Sequence, residues 1–385
     1  MKVVHVVRQF SPSVGGLEDT VLSLTRAQRD RLNIDASVLT LDRLFTGPEV
    51  LPAEDVVQGV PVRRMRWTGS SRYPLAPSVL RHLNGADVVH VHAIDFFFDF
   101  LALTRPLHGR RLIATTHGGF FHTGAFKIAK RLWFQTLTRA SITAYDRIVA
   151  CSQSDADMFQ ASAGKRLMLI ENGINQSKFQ GAAALTPRKT ILSFGRFARH
   201  KRTDALLRVF KHLVAIDPAW RLIIAGREAD QKASELIDMV AQLNLGEAVR
   251  FVFSPTDAEL RGLMAESSFY VSLSAYEGFG LAAVEAMSAG LVPILSRIPA
   301  FSRLVSAAGA GLTVDADDPA AAAAAISALP VDDLDAQATA RQRVMAVAER
   351  YDWQEVASRY GMVYESAMTK GAVIRPAVSS GVAVE

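Results

Sequence analysis

The chain has 385 residues, more than a single hydrophobic core usually serves, so its length predicts two domains of somewhat under 200 residues each. Hydrophobic residues make up 49% and charged residues 21%, a composition that is typical of a soluble globular protein and excludes extensive disorder. No apolar run reaches the roughly 18 residues of a membrane span, and the single cysteine, Cys151, excludes an internal disulfide and a cysteine-based zinc site and favours the reducing cytoplasm.

The net charge of +5 is unevenly distributed along the chain. Residues 1–180 carry 22 Lys and Arg against 15 Asp and Glu, a net +7, whereas residues 181–385 carry 21 against 23, a net −2. A basic half is expected to face an anionic partner. Because the sequence has no zinc-finger, RNA-recognition or helix-turn-helix signature, we expect a membrane surface or a phosphorylated substrate and no nucleic acid. A basic nucleotide- or nucleic-acid-binding module is the alternative outside the enzymes.

Short β-branched runs alternate with amphipathic segments from the first residues onward. The start, KVVHVV, predicts a buried strand and not a signal peptide, and it is followed by the helical pattern GLEDTVLSLTRAQRD and the strand DASVLTL. Later strands are expected at DVVHVH, RLIATT, DRIVACS and LMLIEN. This order predicts an α/β fold built from βαβ units with a parallel sheet.

The alternation stops and then restarts, which predicts two doubly wound domains. Residues 179–190 lose the periodic pattern and contain Gly181 and Pro187, as an interdomain linker does. Strands are expected again at TILSFGR, WRLIIAG, AVRFVF, FYVSLS and LVPILS. We therefore predict domains at 1–180 and 181–350, a C-terminal helix at 351–369 that packs back toward the first domain, and a disordered tail at 370–385.

Ligands of open α/β sheets bind at the carboxyl ends of the strands, so the turn after each strand is a candidate site. The turn after the first strand contains Gly15 and Gly16, where backbone N–H groups can approach a ligand and the following helix start favours an anion. A simple tight turn is the alternative explanation for this pair. The turn lacks G-x-G-x-x-G, which argues against a nicotinamide dehydrogenase.

The corresponding turns of the second domain carry more charge. Arg196 and Lys201 lie on either side of a strand-to-helix turn, and two cations at a helix start would neutralise a diphosphate without a metal. A solvated basic turn is the alternative. Successive backbone N–H groups that can bind the same anion belong to Gly226, Gly278, Phe279 and Gly280.

Two acids, Glu277 and Glu285, stand in a segment that is otherwise small and apolar. Burying a carboxylate without a partner costs several kcal/mol, so both need hydrogen-bond donors. Glu277 lies in the turn and Glu285 in the helix that begins near Gly280, so the hydroxyls of a sugar nucleotide would satisfy both, with the transferred sugar near Glu277 and the ribose near Glu285. Alternatively, Glu285 only pairs with a basic side chain.

In chain order, these residues resemble the retaining glycosyltransferases of family four, which have the GT-B fold of two facing Rossmann-like domains with a cleft between them. The resemblance rests on the E(x7)E motif Glu277–Glu285, the pair Arg196 and Lys201, the glycine loop, and ENGIN at 171–175. It implies a metal-independent enzyme without a cofactor that uses a nucleotide-sugar donor. It also implies that His117 of THGG lies beside the transferred sugar, although a core histidine after a strand is the alternative.

A closer likeness is to the α-mannosyltransferases of xanthan- and acetan-type exopolysaccharide assembly. It is carried by MKVVHVVRQFSPSVGG, GSSRYPLAPSVL, THGGFFHT, WFQTLTR, IIAGRE and EAMSAGLVPILS. This resemblance implies GDP-mannose as the donor, a cellobiosyl diphosphate polyprenol as the acceptor, and an α-1,3 bond. A UDP-sugar-dependent member of the same family and a sugar-nucleotide epimerase are the alternatives, because a fold does not fix its chemistry.

Two further patterns suggest metal binding but are weak. His90 and His92 alternate along one strand and would face the same side, yet no third ligand is evident from the sequence. The DAD triplet at 155–157 falls in a helical segment, where two acids at this spacing do not face each other. We therefore expect no metal.

The segment that follows His117 mixes aromatic and basic side chains. Such a mixture suits a helix in an anionic membrane interface, where it would present a lipid-linked acceptor. The alternative is an ordinary amphipathic helix that covers the first sheet. The interface interpretation predicts a protein peripheral on the cytoplasmic face of the inner membrane. The residues concerned are Phe120, Phe121, Phe126, Lys127, Lys130, Arg131, Trp133 and Phe134.

Overall fold

The computed structural model describes residues 1–71, 73–118 and 134–369. The chain divides into two compact units, one formed by Met1–Gly173 and the segment from Trp353 onward, the other by Ile174–Asp352. The first boundary lies a few residues before the division at 180/181 that the sequence suggested, because Phe179 is buried in the core of the second unit.

The elements of both units follow one another in α/β order. The strands are β1 Lys2–Val6, β2 Asp35–Leu41, β3 Glu54–Val57, β4 Val60–Met65, β5 Thr68–Ser70, β6 Tyr73–Leu75, β7 Val88–His92, β8 Arg111–Thr115, β9 Arg147–Ala150, β10 Leu167–Leu169, β11 Thr190–Phe197, β12 Arg221–Glu228, β13 Val249–Phe253, β14 Phe269–Ser272, β15 Val292–Ser296 and β16 Leu312–Val314. The α-helices are α1 Gly16–Leu32, α2 Phe96–Leu103, α3 Arg105–His108, α4 Arg139–Ile142, α5 Gln153–Ala163, α6 Gln176–Phe179, α7 Thr203–Ile216, α8 Ala233–Gln242, α9 Asp257–Ala265, α10 Leu281–Ala289, α11 Pro299–Ala308, α12 Pro319–Ser327, α13 Leu334–Glu349 and α14 Trp353–Met368. Short 3₁₀ turns lie at Pro77–His82, Gly164–Arg166 and Arg199–Lys201, and a π-helical turn at Phe134–Thr138.

The first unit contains an eight-stranded sheet in the order β10-β9-β8-β7-β1-β2-β4-β3. Strand β3 pairs antiparallel with β4, whereas the other neighbours pair in parallel. Its central strands β7 and β8 are buried almost throughout, as parallel strands covered on both faces are. Helices α1 and α14 pack on each other, and their apolar side chains join strand residues such as Val3 and Val88 in one core.

The second unit contains a six-stranded sheet in the order β13-β12-β11-β14-β15-β16, and all its neighbours pair in parallel. Its central strands are flanked by two separate apolar cores, one around Trp220 and Phe269 and the other around Phe279 and Phe301. The predicted doubly wound α/β architecture is therefore present in each unit.

Each sheet has a point at which its strand order reverses. In the second unit the chain proceeds from β11 to β12 and β13 on one side and returns to β14 on the other side of β11. In the first unit it proceeds from β1 to β2 and returns to β7 on the other side of β1. Ligands of such sheets bind at the carboxyl ends of the strands beside the reversal, so each unit has one expected crevice.

Within the residues described here, no helix is both long and apolar enough to cross a bilayer.

Candidate active site

Lys201 and Glu277 meet at the strand reversal of the second unit. Nζ of Lys201 lies 2.6 Å from Oε1 of Glu277, and their side chains are 24% and 14% exposed. Lys201 ends the 3₁₀ turn after β11, and Glu277 lies in the loop after β14. The ion pair therefore joins the two loops that flank the reversal. The sequence predicted both residues as site residues but not their direct contact.

Three serines hold the Glu277 loop in place. The Ser274 hydroxyl donates to the same Oε1 of Glu277 at 2.8 Å, and Ser272 Oγ lies 3.0 Å from Ser274 Oγ. The hydroxyl of Ser296, at the end of β15, donates to the Ser274 carbonyl oxygen at 2.6 Å. The Glu277 carboxylate thus has two donors, which answers the requirement that a carboxylate in an apolar segment has partners.

Arg196 lies near the end of β11 and is exposed. Among the residues that the structure describes, its guanidinium has no hydrogen-bond or ion-pair partner. Arg196 and Lys201 line one small cavity of about 20 Å³ together with Gly195 and Ser272. The two predicted cations therefore share a site, but only Arg196 is free of an acidic partner.

The glycines of this site differ in how much space a side chain would have. A Cβ on Gly226 would lie 1.8 Å from the carbonyl oxygen of Gly195 on the neighbouring strand, so Gly226 permits close backbone approach. Gly280 precedes α10 with a φ of +97°, and a Cβ there would meet the Phe301 ring at 2.7 Å. A Cβ on Gly278 would meet nothing within 4 Å, so packing does not require glycine there.

Glu285 and Phe279 take different positions around the start of α10. Glu285 is half-buried on the helix itself, whereas the Phe279 side chain is buried in the core. The Phe279 ring lies 4.9 Å from that of Tyr351, so at this position only the backbone is available to a ligand.

Gly15 and Gly16 lie at the start of α1, as predicted. Gly15 precedes the helix in an extended conformation, and the first helical turn carries Glu18 and Asp19. The Ser13 hydroxyl donates to Glu18 Oε1 at 2.9 Å. An anion at this helix start would meet two carboxylates, which opposes the attraction expected from the helix dipole.

Histidines form a connected chain at the strand reversal of the first unit. His5 of β1 and His92 of β7 lie 2.9 Å apart between Nδ1 and Nε2, and His92 Nδ1 lies 2.9 Å from Nε2 of His117, which follows β8. His5 Nε2 bonds to Gln28 Oε1 of α1 at 2.7 Å, and the Gln28 amide nitrogen donates to the Tyr364 hydroxyl of α14 at 2.9 Å.

Burial keeps these imidazoles neutral. Desolvation lowers the pKa of His5 to about 4, against the opposing effect of its hydrogen bond to Gln28, and it lowers the pKa of His117 to about 3. The pKa values of His90 and His92 are also lowered well below their usual value, first by burial and then by the neighbouring imidazoles.

The structure adds a third histidine, His5, to the pair His90 and His92. His5 lies opposite His90 on the neighbouring strand, a contact that the sequence did not reveal. His5, His90 and His92 bring potential ligand nitrogens within 4.8 Å of one another. His90 bonds to the hydroxyls of Tyr364 and Thr115, so every ring nitrogen of the three already has a hydrogen-bond partner. A metal would have to break these bonds, and the cluster is fully accounted for as a hydrogen-bonded network.

The predicted interface residues Phe120, Phe121, Phe126, Lys127, Lys130, Arg131 and Trp133 lie outside the described residues, as does the tail at 370–385.

Two family models match consecutive parts of the chain. The model described as Glycosyltransferase Family 4 matches residues 14–178, and the model described as Glycosyl transferases group 1 matches residues 175–343. A protein from Komagataeibacter xylinus named GDP-mannose:cellobiosyl-diphosphopolyprenol alpha-mannosyltransferase is 54% identical over 96% of this chain and 94% of its own length. The chain belongs to glycosyltransferase family 4.

Two further proteins that are similar to this glycosyltransferase agree with the family assignment. A protein of the same name from Xanthomonas campestris is 47% identical over 96% of this chain and 97% of its own length. The solved structure of Anabaena HepE in complex with UDP and glucose has a TM-score of 0.71 and 19% identity, and the match covers 95% of this chain and all of that one. The predicted GT-B fold class and the family resemblance are confirmed.

Several residues of this glycosyltransferase's candidate site were not predicted. Gly195 meets Gly226 on the neighbouring strand and His5 meets Gln28 on α1, so no short motif links either pair. Ser272 and Ser274, by contrast, lie within five residues of Glu277 in the same segment. The sequence contained one signal for His5: it follows two valines in KVVHVV as His90 does in DVVHVH.

The DAD triplet does lie in a helix, α5, as predicted. Asp155 is buried and accepts a hydrogen bond from Thr116 at 2.7 Å, whereas Asp157 accepts one from Gln153. The two acids therefore make separate contacts, Asp155 with the segment after β8 and Asp157 within its own helix.

Proposed function

We propose that this glycosyltransferase moves mannose from GDP-mannose to a cellobiosyl diphosphate polyprenol, with retention of configuration and formation of an α-1,3 bond. The supporting observation is that relatives 47–54% identical over 96% of the chain carry the name of this mannosyltransferase. The similar solved structures are too distant in sequence to support a choice of donor.

The second unit has the groups that the donor needs. Arg196 and Lys201 line one cavity and are proposed to neutralise the diphosphate, and the amides of the Gly278–Gly280 loop, which follows Glu277, are proposed to add donors. Glu277 is proposed to accept hydrogen bonds from the mannose hydroxyls, and Glu285 from the ribose. Fixed positive groups aimed at a leaving diphosphate stabilise the charge that develops in the transition state, which is usually the largest contribution to catalysis.

We expect a same-face displacement through an oxocarbenium-like state. The acceptor hydroxyl oxygen bonds to the anomeric carbon as the bond from that carbon to the diphosphate oxygen breaks, and the hydroxyl proton passes to the departing diphosphate. Because two side chains and several amides supply the positive potential, we expect full transfer in excess EDTA. A large loss of activity in EDTA, restored by a divalent cation, would contradict this part of the proposal.

The acceptor is lipid-linked in this proposal, so the enzyme must reach a membrane. Phe120, Phe121 and Trp133 together with Lys127, Lys130 and Arg131 supply the mixture of apolar and basic side chains that binds an anionic interface. We propose a peripheral enzyme on the cytoplasmic face of the inner membrane, with no nucleic acid as partner.

The deciding experiment incubates purified full-length protein with a synthetic cellobiosyl diphosphate lipid and, in parallel, GDP-mannose, UDP-glucose or UDP-N-acetylglucosamine. Product mass and anomeric configuration are followed. An α-linked hexose added only from GDP-mannose is the expected result. Transfer from a uridine donor would replace the donor assignment, and an altered nucleotide sugar without transfer would point to an epimerase.

A further inference from the structure

A chain of buried hydrogen bonds connects helix α1 to His117. It runs from Gln28 through His5 and His92 to His117, and its three hydrogen bonds measure 2.7, 2.9 and 2.9 Å. Gln28, His5 and His92 are almost completely buried, whereas His117 at the end of the chain is half-buried. The final member of an otherwise enclosed network is thus the one that a ligand can reach.

The direction of these hydrogen bonds follows from Gln28. Its amide nitrogen donates to Tyr364, so its oxygen faces His5, and an amide oxygen can only accept. His5 must therefore carry its proton on Nε2. Because a neutral imidazole has one proton, His5 Nδ1 accepts, so His92 donates from Nε2.

The same reasoning applies to the hydrogen bond between His92 and His117. His92 Nδ1 is left as an acceptor and must receive its hydrogen bond from Nε2 of His117. The proton of neutral His117 is then used, and its Nδ1 carries a lone pair. Among the described residues, His117 Nδ1 has no hydrogen-bond partner.

We propose that Gln28, His5 and His92 are positioning residues that fix His117 in its Nε2–H tautomer, so that Nδ1 accepts a hydrogen bond from a sugar hydroxyl. Only the identity of that hydroxyl rests on the function proposed above. A diphosphate offers acceptors alone and would be repelled by the lone pair, so this tautomer selects the hydroxyl face of a nucleotide sugar over its phosphates.

The surroundings of His117 support a fixed orientation. Its backbone has a φ of +52°, in the left-handed region, which is uncommon for residues other than glycine. With the backbone held there and Nε2 bonded to His92, the ring has little freedom to turn. The opposite arrangement would require the Gln28 amide to be reversed, every proton in the chain to move, and His117 to present Nδ1–H, which suits a phosphate.

Nitrogen NMR of protein labelled in its histidine rings distinguishes these two arrangements, because an unprotonated ring nitrogen resonates far downfield of a protonated one. In full-length protein near neutral pH we expect His5, His92 and His117 each to show a protonated Nε2 and an unprotonated Nδ1. Addition of GDP-mannose should shift His117 Nδ1, and GDP alone should not. A protonated Nδ1 on His117 would overturn the proposal.

Two variants on α1 separate positioning from simple stability. Gln28→Met keeps the volume but removes the amide, and we expect His117 to lose its single tautomer and mannose transfer to fall by about tenfold, the effect of one lost hydrogen bond. Thr25→Val removes a buried hydrogen bond to the Val21 carbonyl on the same helix, and Thr25 does not contact the hydrogen-bond chain from Gln28 to His117. This variant should keep the single tautomer of His117 and the wild-type activity.

An unchanged His117 tautomer and unchanged turnover in Gln28→Met would contradict the proposal. If Gln28→Met does not fold, the tautomers of the unaltered protein decide. Because the tautomers are determined without substrate, wild-type protein that fails to transfer mannose yet shows the expected tautomers would refute the proposed function and leave the histidine chain intact.

Discussion

The Lys201 ammonium group and the Glu277 carboxylate lie 2.6 Å apart and join the two loops at the strand reversal of the second unit. A diphosphate at this point must therefore share Lys201 with a carboxylate. Arg196, which has no such partner among the described residues, contributes the net positive charge of the trio. The balance among these three side chains leads to separate predictions for binding and for transfer.

Glu277→Gln should separate donor binding from catalysis. The substitution keeps an oxygen for Ser274 but removes the negative charge that competes for Lys201, so GDP should bind as tightly as in the wild type or more tightly. Transfer should fall by about 10²-fold, because the amide replaces a charged acceptor toward the sugar. Calorimetry with GDP and turnover with GDP-mannose are the two measurements.

Glu266→Gln is the matched control, since Glu266 forms an exposed pair with Arg250 in the same unit. It should leave both quantities unchanged. Weaker GDP binding in Glu277→Gln would show that the carboxylate supports the nucleotide, contrary to this account.

Arg196→Ala and Lys201→Ala should each lower kcat/KM for GDP-mannose by about 10²-fold, because each removes a fixed positive group from the leaving diphosphate. Arg196→Ala should also weaken GDP binding more, since Lys201 is partly neutralised by Glu277. Arg208→Ala, which removes an exposed pair with Asp204 on α7, is the control and should have wild-type kinetics. Near-normal turnover in both site variants would refute the assignment.

Gly278→Ala and Gly280→Ala should fail in different ways. Gly280→Ala places a methyl group 2.7 Å from Phe301 at a φ of +97°, so we expect a loss of roughly 2–4 kcal/mol and a melting temperature lower by several degrees. Gly278→Ala meets nothing and should melt as the wild type does, but it should weaken GDP binding if the ligand approaches this backbone. Wild-type binding in a stable Gly278→Ala protein would remove Gly278 from the site.

The buried histidines should make the protein sensitive to mild acid. His5, His90 and His92 have a pKa in the folded protein that lies below the unfolded value of 6.5, so the unfolded chain binds more protons below that pH. Stability should therefore fall as the pH falls through this value and, for His5, until the pH reaches about 4. Well below pH 6.5 each fully buried group contributes about 1.4 kcal/mol per pH unit, so these three contribute about 4 kcal/mol per pH unit. His117, whose pKa is lowered in the same direction, adds to this slope.

Urea unfolding at several pH values between about 5 and 7 measures this slope. His5→Gln should reduce the slope by about a quarter, since four histidines contribute to it. Thr25→Val, which removes a buried hydroxyl that does not titrate, is the control and should not change the slope. An unaltered slope in His5→Gln would show that His5 is not buried in its neutral form.

Charge reversal at Lys127, Lys130 and Arg131 should weaken binding to vesicles that contain anionic lipid. Each basic residue near such a surface contributes roughly 1 kcal/mol, so the triple glutamate variant should bind at least 10²-fold more weakly. Reversal at Arg208, Lys211 and Arg221 in the second unit is the control with the same change in net charge. Equal vesicle binding by the two triple variants would contradict a specific membrane-facing segment.

The sequence by itself determined the parallel α/β architecture, the family, and the order of the motifs. These follow from local properties: β-branched runs predict strands, glycines mark turns, and Arg196, Lys201, Glu277 and Glu285 stand at the spacing of the family. The helix start at Gly280 also came out as predicted, whereas Gly226 lies inside β12, two residues before its end, and not in the turn that follows.

Only the tertiary structure decided which of these residues touch. The ion pair of Lys201 with Glu277 and the bond from His5 to Gln28 join side chains on different elements, so no periodicity along the chain encodes them. Lys201 and Glu277 meet because parallel strands place their carboxyl ends side by side at a reversal of strand order. Gln28 meets His5 because α1 packs on the face of the sheet. Whether a lysine is free or already paired, and which nitrogen of a histidine is protonated, depends on those neighbours and is therefore a property of the fold.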